Sequence, residues 1–137
     1  MTKEDLIIDL RDRVYCRIGA SSLHGVGVFA IRDLPKGTNP FQGSGDPEIV
    51  EVPAALVFEN SEITDEVKAM VKDFYAIEKG VIYFSDHGFN RLDISYYMNR
   101  SDNPNVEFMA ANYTVRTTRD IKKGEELTVD YSRFSEE

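Results

Sequence analysis

The chain has 137 residues, 42% hydrophobic and 29% charged, a composition typical of a single soluble globular domain. Its net charge of −8 at pH 7 argues against direct nucleic-acid binding, because phosphates would be repelled, and suits a basic partner unless it serves solubility alone. No apolar run is long enough for a membrane span, and the N-terminus lacks a signal-peptide cleavage site. The lone Cys16 leaves no disulfide or cysteine-cluster metal site, so we expect an intracellular protein without a metal ion.

Short strands separated by turns dominate the first part of the chain. β-branched and aromatic residues favour strands over residues 13–19, 26–31 and 48–53. Pro35 and Gly37, between the second and third of these strands, predict a turn. This part is therefore predicted to be mostly β.

One helix is predicted from Thr64 to Lys79. Thr64 is a suitable N-cap, acidic residues follow in the first turn, and Gly80 marks the end. Helical spacing relates five apolar side chains, which we interpret as core packing with no cofactor role: Val67, Met70, Val71, Phe74 and Ile77.

The remainder returns to short strands, predicted at residues 81–85, 106–110, 112–118 and 125–131. A short helical turn is predicted at residues 93–99, where Asp93 is positioned to cap it. No low-complexity linker interrupts the chain, so residues 1–137 are expected to form one domain.

Two segments echo each other, IRDLPKG at 31–37 and TRDIKKG at 118–124. Each places Arg-Asp and an aliphatic residue before a lysine-glycine turn, after an apolar strand. Two copies are too few for a repeat architecture. We therefore interpret them as one type of strand-exit turn used twice.

Three motifs occur in order along the chain: LHGVGVFAIRDLPKG from residue 23, DISYYMNRSDNPN from residue 93 and RDIKKGEELTVDYS from residue 119. Together they resemble the SET-domain protein-lysine methyltransferases, over about residues 14–132, with 64–79 as an inserted helix. The resemblance implies a mostly β fold with short helices, in which small β-sheets surround a knot-like C-terminal core. There the segments YYMNRS and ELTVDY would pass each other and form the active site.

The resemblance also implies S-adenosylmethionine as the cofactor. Asn99 matches the family asparagine that contacts it, whereas Asn103 and Asn105 are expected only to brace the knot. Gly25 and Gly27 would leave the backbone uncovered, so that a ligand can approach it closely. The expected cofactor contacts are His24, Gly25, Val26, Gly27, Tyr97, Asn99, Arg100 and Phe134.

Arg100 departs from the family, which usually has histidine at this position. Its planar, permanently charged guanidinium would stack on the adenine or pair with an acid. Alternatively, it is a surface residue without a ligand contact. The sequence also lacks the family's cysteine-rich zinc tail, so Phe134 or a second subunit in a homodimer is expected to cover the adenine.

Tyr131 matches the family's catalytic tyrosine, and the resemblance places Phe108 and Val129 beside it in the channel for the substrate lysine. In-line methyl transfer needs alignment, a neutral amine and exclusion of water. The tyrosine hydroxyl would orient the amine, and an apolar channel would lower the pKa of the lysine. Because Phe108 and Val129 carry no hydroxyl to hold a competing water, we expect products beyond monomethyl-lysine.

The resemblance therefore implies S-adenosylmethionine-dependent methyl transfer to a lysine of a protein or basic peptide, for which a histone tail is one candidate. The alternative is a module that keeps the fold and binds a basic peptide without methylating it. Arg100 and the missing tail favour this alternative. The expected location is intracellular: the nucleus if the protein is eukaryotic or acts on host chromatin, and the cytoplasm otherwise.

Overall fold

The computed structural model describes residues 2–42, 48–109 and 114–131, and the backbone of residues 134–135. Its main elements are α1 (Lys3–Asp12), β1 (Cys16–Ala20), β2 (Val26–Ala30), β3 (Ile49–Pro53), α2 (Ala54–Phe58), α3 (Asp65–Phe74), β4 (Ala76–Glu78), β5 (Val81–Ser85), β6 (Asn99–Arg100), β7 (Val106–Met109), β8 (Thr114–Thr117), β9 (Glu126–Val129) and β10 (Phe134–Ser135). Short 3-10 helices at Phe89–Arg91 and Ile94–Tyr97 precede β6. The predicted mostly β fold with short helices is confirmed.

Most of the predicted strands are confirmed within a few residues, and the prediction at 81–85 coincides with β5. We did not predict α1 or α2. α1 begins at a capping box, in which the Thr2 hydroxyl accepts from the Asp5 N–H and the Asp5 carboxylate accepts from the Thr2 N–H, each at 3.0 Å. The cap therefore satisfies N–H groups that a helix start otherwise leaves without partners.

The predicted helix at 64–79 is wrong at its C-terminal end. Thr64 caps α3 as expected, but α3 ends at Phe74 and Tyr75 is already extended. Residues 76–78 instead form β4, which pairs antiparallel with β5. Ladder hydrogen bonds and the burial of Tyr75 outweigh local helix propensity here. The predicted core stripe is correspondingly reduced, since Val71 is buried but Val67 and Met70 are exposed.

The strands form small sheets whose order differs from the order in the chain. The first sheet has the order β1-β2-β9-β6, the second β10-β7-β8 and the third β3-β5-β4. β6 runs parallel to β9, with Asn99 opposite Thr128 and Arg100 opposite Val129. The two segments predicted to meet at the active site therefore lie side by side.

The described residues form two hydrophobic cores. The first core lies under the first sheet and contains Cys16, Val28, Ala30, Leu34, Met98, Val106, Ile121, Leu127 and Val129. The second core lies between the third sheet and the helices α2 and α3, and contains Val57, Val71, Tyr75 and Ile82. Burial in the first core raises the pKa of the Cys16 thiol to about 12.

The two echoing turns pack on each other in a reciprocal arrangement. Leu34 and Ile121 exchange both backbone hydrogen bonds, at 2.7 and 2.8 Å, and both side chains are fully buried. The carboxylate of Asp33 accepts from the Lys123 N–H at 2.9 Å, and that of Asp120 accepts from the Lys36 N–H at 2.8 Å. A carboxylate of each turn therefore accepts a hydrogen bond from the backbone of the other turn. The similarity of the two sequences did not by itself predict this contact.

Candidate active site

A cavity with a volume of about 790 Å³ opens between the two cores. Loop 23–26, segment 96–100 and Tyr131 contribute part of its lining, and the last turn of α3 with β4 contributes the rest. Its lining residues are Leu23, His24, Gly25, Val26, Lys72, Asp73, Phe74, Tyr75, Ile77, Tyr96, Tyr97, Met98, Asn99, Arg100 and Tyr131. Pockets of roughly 300–1,000 Å³ are the usual size for small-molecule sites, so this cavity is large enough for a cofactor.

Ser21 holds the loop at the mouth of the cavity. Its hydroxyl oxygen accepts from the backbone N–H groups of Leu23 and His24, at 3.0 and 3.4 Å. The same hydroxyl lies 2.7 and 3.0 Å from the two carboxylate oxygens of Glu126, to which it donates. The loop is therefore tied to the start of β9 through one serine.

Asn99 is oriented by three acceptors. Its Nδ2 atom lies 3.0 Å from the carbonyl oxygens of both His24 and Val26. The same atom lies 2.9 Å from Oε2 of Glu126. These acceptors determine which end of the amide is nitrogen, and within the described part of the chain Oδ1 accepts no hydrogen bond. That oxygen is therefore available to a donor on a ligand.

The two glycines of the HGVG motif have different roles. Gly25 has a φ of +47°, a left-handed conformation that disfavours a side chain, and it lines the cavity. Gly27 is buried and is not part of the lining, because the carboxylate of Glu126 fills the space where its side chain would lie. The expectation that Gly27 exposes backbone to a ligand is therefore corrected: the missing side chain makes room for Glu126.

Asn105 braces β9, as expected for a structural asparagine. Its side chain is buried, its Nδ2 donates to the Glu126 carbonyl at 2.9 Å, and its Oδ1 accepts from the Thr128 N–H at 2.8 Å. The amide thus takes the place of a neighbouring strand for two backbone groups. Asn103 has an exposed side chain, and its backbone N–H donates to the Ser101 hydroxyl at 3.1 Å.

Tyr131 lies in the cavity lining beside the start of β6. Its hydroxyl donates to the carbonyl oxygen of Met98 at 2.7 Å. Burial raises the pKa of the Tyr131 phenol above its ordinary value, and the neighbouring Tyr96 adds to the increase. The phenol therefore stays protonated at neutral pH and keeps this donor.

Arg100 lies at the rim of the cavity with its side chain 66% exposed. Its Nε is 4.0 Å from Oδ1 of Asp130, a carboxylate that is itself only 11% exposed. Of the roles that the sequence analysis considered for Arg100, the geometry therefore favours pairing with an acid. At this separation, and with the guanidinium mostly in solvent, the pair contributes little to stability, on the order of 1 kcal/mol at most.

Aromatic rings from both cores face the cavity. Phe74 of α3 packs edge-on against Tyr97 with centroids 6.1 Å apart, and Tyr75 packs in the same manner against Tyr96 at 5.5 Å. Desolvation raises the pKa of the Tyr96 phenol. Tyr75 is 3% exposed, and its hydroxyl has no hydrogen-bond partner among the described residues. From the sequence we named Tyr97 at this site but neither Tyr75 nor Tyr96.

Only some of the residues predicted to line the lysine channel lie together in the structure. The Phe108 ring packs on Tyr131 with centroids 5.6 Å apart and planes at 43°. Val129 is fully buried in the first core and does not line the cavity, so its expected place on the channel wall is corrected. The side chain of Phe134 lies outside the described residues, although its backbone pairs with Phe108 in β10 and β7.

Several residues at the site were missed at the sequence level. Ser21 and Glu126 lie in or beside the recognised motifs, and their role depends on a contact across 105 positions of chain. Tyr96 directly precedes Tyr97 in YYMN, a doubling that could have drawn attention to it. Lys72 and Tyr75 had no sequence signal beyond the helix pattern.

Residues 2–42, 48–109 and 114–131 contain no group of three or more histidine, cysteine, aspartate or glutamate side chains arranged to hold a metal ion. No helix in these ranges has the length and apolar character required to cross a membrane.

Comparison with known proteins places the chain in a family. No curated protein sequence matches it. A crystal structure of a candidate histone methyltransferase from Plasmodium falciparum superimposes with a TM-score of 0.52 at 19% identity, covering 88% of this chain and 99% of that chain, which shows a shared fold. The family model of the SET domain matches residues 25–132, and the SET family comprises protein-lysine methyltransferases. This match spans most of the sequence, and the chain therefore belongs to the SET-domain family.

Proposed function

We propose that this protein transfers a methyl group from S-adenosylmethionine to the side-chain amine of a lysine in a protein substrate. The observation that carries the proposal is that Asn99 and Tyr131 line one cavity, with the Tyr131 hydroxyl held on the carbonyl of Met98, the residue before Asn99. The family match supports the reaction class.

The residues of the cavity fit this cofactor. Oδ1 of Asn99 offers an acceptor to an ammonium or hydroxyl group. The rings of Phe74 and Tyr97 provide faces suited to a sulfonium cation and to a planar base. Arg100 at the rim offers donors to a carboxylate. When bound, the cofactor supplies an electrophilic methyl group.

Tyr131 would act on the reacting groups without losing its proton. Because its O–H donates to Met98, its oxygen lone pairs are available to an amine N–H or to a polarised C–H group. The aromatic surroundings disfavour a charged amine and so favour the neutral, nucleophilic form of lysine. Alignment of amine and methyl group would supply a large part of the rate, on the order of 7 kcal/mol.

A basic protein segment is the proposed substrate. The chain carries 24 acidic and 16 basic residues, and this excess attracts Lys- and Arg-rich partners over a distance. Histone tails belong to this class and are the first substrates to test.

The experiment has two stages. Calorimetry with S-adenosylmethionine and S-adenosylhomocysteine tests binding, and labelled cofactor with histones and lysate proteins then tests transfer, with the modified lysine located by mass spectrometry. We expect binding and transfer, with transfer lost in Tyr131→Phe. Absence of binding heat at saturating cofactor would contradict the proposal.

A second candidate function is binding of a basic peptide without turnover. It is favoured by Arg100, which stands where the family usually has histidine and whose side chain is mostly exposed. Peptide binding with bound cofactor but no methyl transfer would support this candidate over the first.

The proposal includes products beyond monomethyl-lysine, because Phe108, the ring packed on Tyr131, carries no hydroxyl. We expect Phe108→Tyr to shift the products towards monomethyl-lysine, since the added hydroxyl would hold a water that a methylated amine must displace. Mass spectrometry of a peptide after long reaction measures the product. Monomethyl-lysine alone from the unmodified protein would contradict this prediction and direct attention to the hydroxyls of Tyr75 and Tyr96.

A further inference from the structure

The carboxylate of Glu126 accepts hydrogen bonds from two donors at the mouth of the cavity. Oε1 and Oε2 receive the Ser21 hydroxyl at 2.7 and 3.0 Å, and Oε2 also receives Nδ2 of Asn99 at 2.9 Å. Glu126 is the first residue of β9 and is partly buried, and its backbone carbonyl is held by Asn105. The carboxylate is therefore presented from a well-anchored strand.

Ser21 requires an acceptor at this place, and Asn99 shares its two amide hydrogens among three acceptors that include Glu126. The Ser21 oxygen already accepts from the N–H groups of Leu23 and His24, so its own hydrogen must be donated. Asn99 cannot turn its amide round, because Oδ1 would then face the carbonyl oxygens of His24 and Val26. A carboxylate offers acceptors to both donors on either oxygen, whereas glutamine keeps one accepting oxygen and turns an NH₂ group towards either the Ser21 oxygen or the Asn99 amide.

Because Gly27 has no side chain, the Glu126 carboxylate and the Asn99 amide can occupy the space beside it. A Cβ atom there would collide with Oε2 of Glu126 and lie 3.1 Å from Nδ2 of Asn99. The φ of Gly27 is not in the left-handed region, so the lack of a side chain reflects space and not backbone conformation. The glycine, the carboxylate and the amide thus form one close-packed unit.

We infer that Glu126 is a positioning residue for cofactor binding. It holds the Asn99 amide directly, and through Ser21 it holds the loop whose carbonyl oxygens complete the orientation of that amide. Oδ1 of Asn99 is thereby directed to a donor of the cofactor. The inference rests on the proposed function, because the cofactor is what Asn99 would contact.

The first test is a double-mutant cycle measured by calorimetry with S-adenosylhomocysteine, which requires no turnover. Glu126→Gln should weaken binding about tenfold or more, the effect of losing one charge-assisted hydrogen bond. In an Asn99→Ala background, the same change should alter binding less than about twofold. The matched control is Glu125→Gln, which removes the same charge from a neighbour that contacts Lys122 and Arg119 instead, and it should leave binding unchanged.

The second test needs no cofactor. The side-chain amide signal of Asn99 in a ¹⁵N NMR spectrum, assigned by its loss in Asn99→Asp, should shift in Glu126→Gln and stay in place in Glu125→Gln. If Glu126→Gln does not fold, Ser21→Ala takes its place, with a several-fold loss of binding expected only while Asn99 is present.

The outcomes separate the two proposals. Equal losses from Glu126→Gln and Glu125→Gln, or a loss that persists without Asn99, would overturn the positioning role. If the unmodified protein binds no cofactor, the proposed function fails, and the NMR test alone decides: an unshifted Asn99 amide overturns the role of Glu126, and a shifted one supports it.

Discussion

The two cores are built in different ways. The first core is mostly aliphatic and joins segments far apart in the chain, with side-chain hydrogen bonds from Asp33, Asp120 and Asn105 fastening one segment to another. The second core comes from one continuous stretch, residues 52–96, and its edges are largely aromatic rings in edge-on contact. One core is fastened by polar contacts with defined geometry, the other mainly by ring packing.

The difference matches what each core contributes to the cavity. The first core presents Asn99 and Tyr131 with their polar atoms in fixed orientations. The second contributes mainly apolar rings and one buried hydroxyl, Tyr75, with no partner in the described ranges. We therefore expect changes on the first-core side to affect chemistry and global stability, and changes on the second-core side to affect mainly the fit of ligands.

The largest effect is expected from Tyr131→Phe. Under the proposed function the hydroxyl orients the amine, so its removal should lower kcat about 100-fold or more, as with loss of other positioned polar groups. The dissociation constant for S-adenosylhomocysteine should change less than threefold, because the ring remains. Steady-state kinetics and calorimetry measure the two quantities, with circular dichroism as a check on folding. A variant that retains full rate would show that Tyr131 is only structural.

Truncation within each core compares their stability. Ile121→Ala in the first core should lower the free energy of unfolding by about 2–5 kcal/mol, because it deletes a fully buried side chain between the two turns. Val71→Ala in the second core removes less volume and should cost about 2 kcal/mol. Urea denaturation measures both, with exposed Leu6→Ala as a control expected within about 0.5 kcal/mol of the unmodified protein. A larger cost for Val71→Ala than for Ile121→Ala would contradict this expectation.

The paired turns provide a matched test within the first core. Asp33→Ala and Asp120→Ala each leave one backbone N–H of the other turn without its carboxylate partner. Because the two arrangements mirror each other, each should lower the free energy of unfolding by about 1 kcal/mol. Thermal and urea denaturation of both variants measures the two changes in the free energy of unfolding. A large effect from one variant and none from the other would show that the reciprocity is only geometric.

The smallest effect, and the opposite sign, is expected from Tyr75→Phe. A buried hydroxyl without a partner is costly, so its removal should raise the free energy of unfolding by up to about 1 kcal/mol. Differential scanning calorimetry of the two proteins measures the change. A clear loss of stability would reveal a partner for this hydroxyl, and unchanged stability with weaker substrate binding would assign it to the ligand.

Local features of the structure followed from local sequence. Thr64 starts α3 and Asp93 caps a 3-10 helix through the Ser95 N–H at 2.9 Å, because a cap needs only residues two or three positions away. The short strands were predicted for the same reason, since β-branched residues and turn residues act over a few positions. α1 was overlooked although its capping box is equally local.

Predictions failed where distant segments compete with local preference. The pattern of α3 continued past Phe74, but pairing of 76–78 with β5 ended the helix there. The resemblance alone placed Val129 on the channel wall, and packing buries its side chain in the first core. Neither outcome is contained in the residues adjacent in sequence.

The sequence by itself determined the mostly β character of the chain, the position of its turns and, through three ordered motifs, the residues that resemble a SET-domain site. Only the tertiary structure decided that Gly27 makes room for Glu126, that Glu126 orients Asn99, and that the end of α3 forms part of the cavity. The physical reason is the separation along the chain over which each kind of interaction acts. Propensities, caps and turns act between near neighbours, whereas these contacts join groups from 23 to 105 positions apart and exist only after both cores have packed.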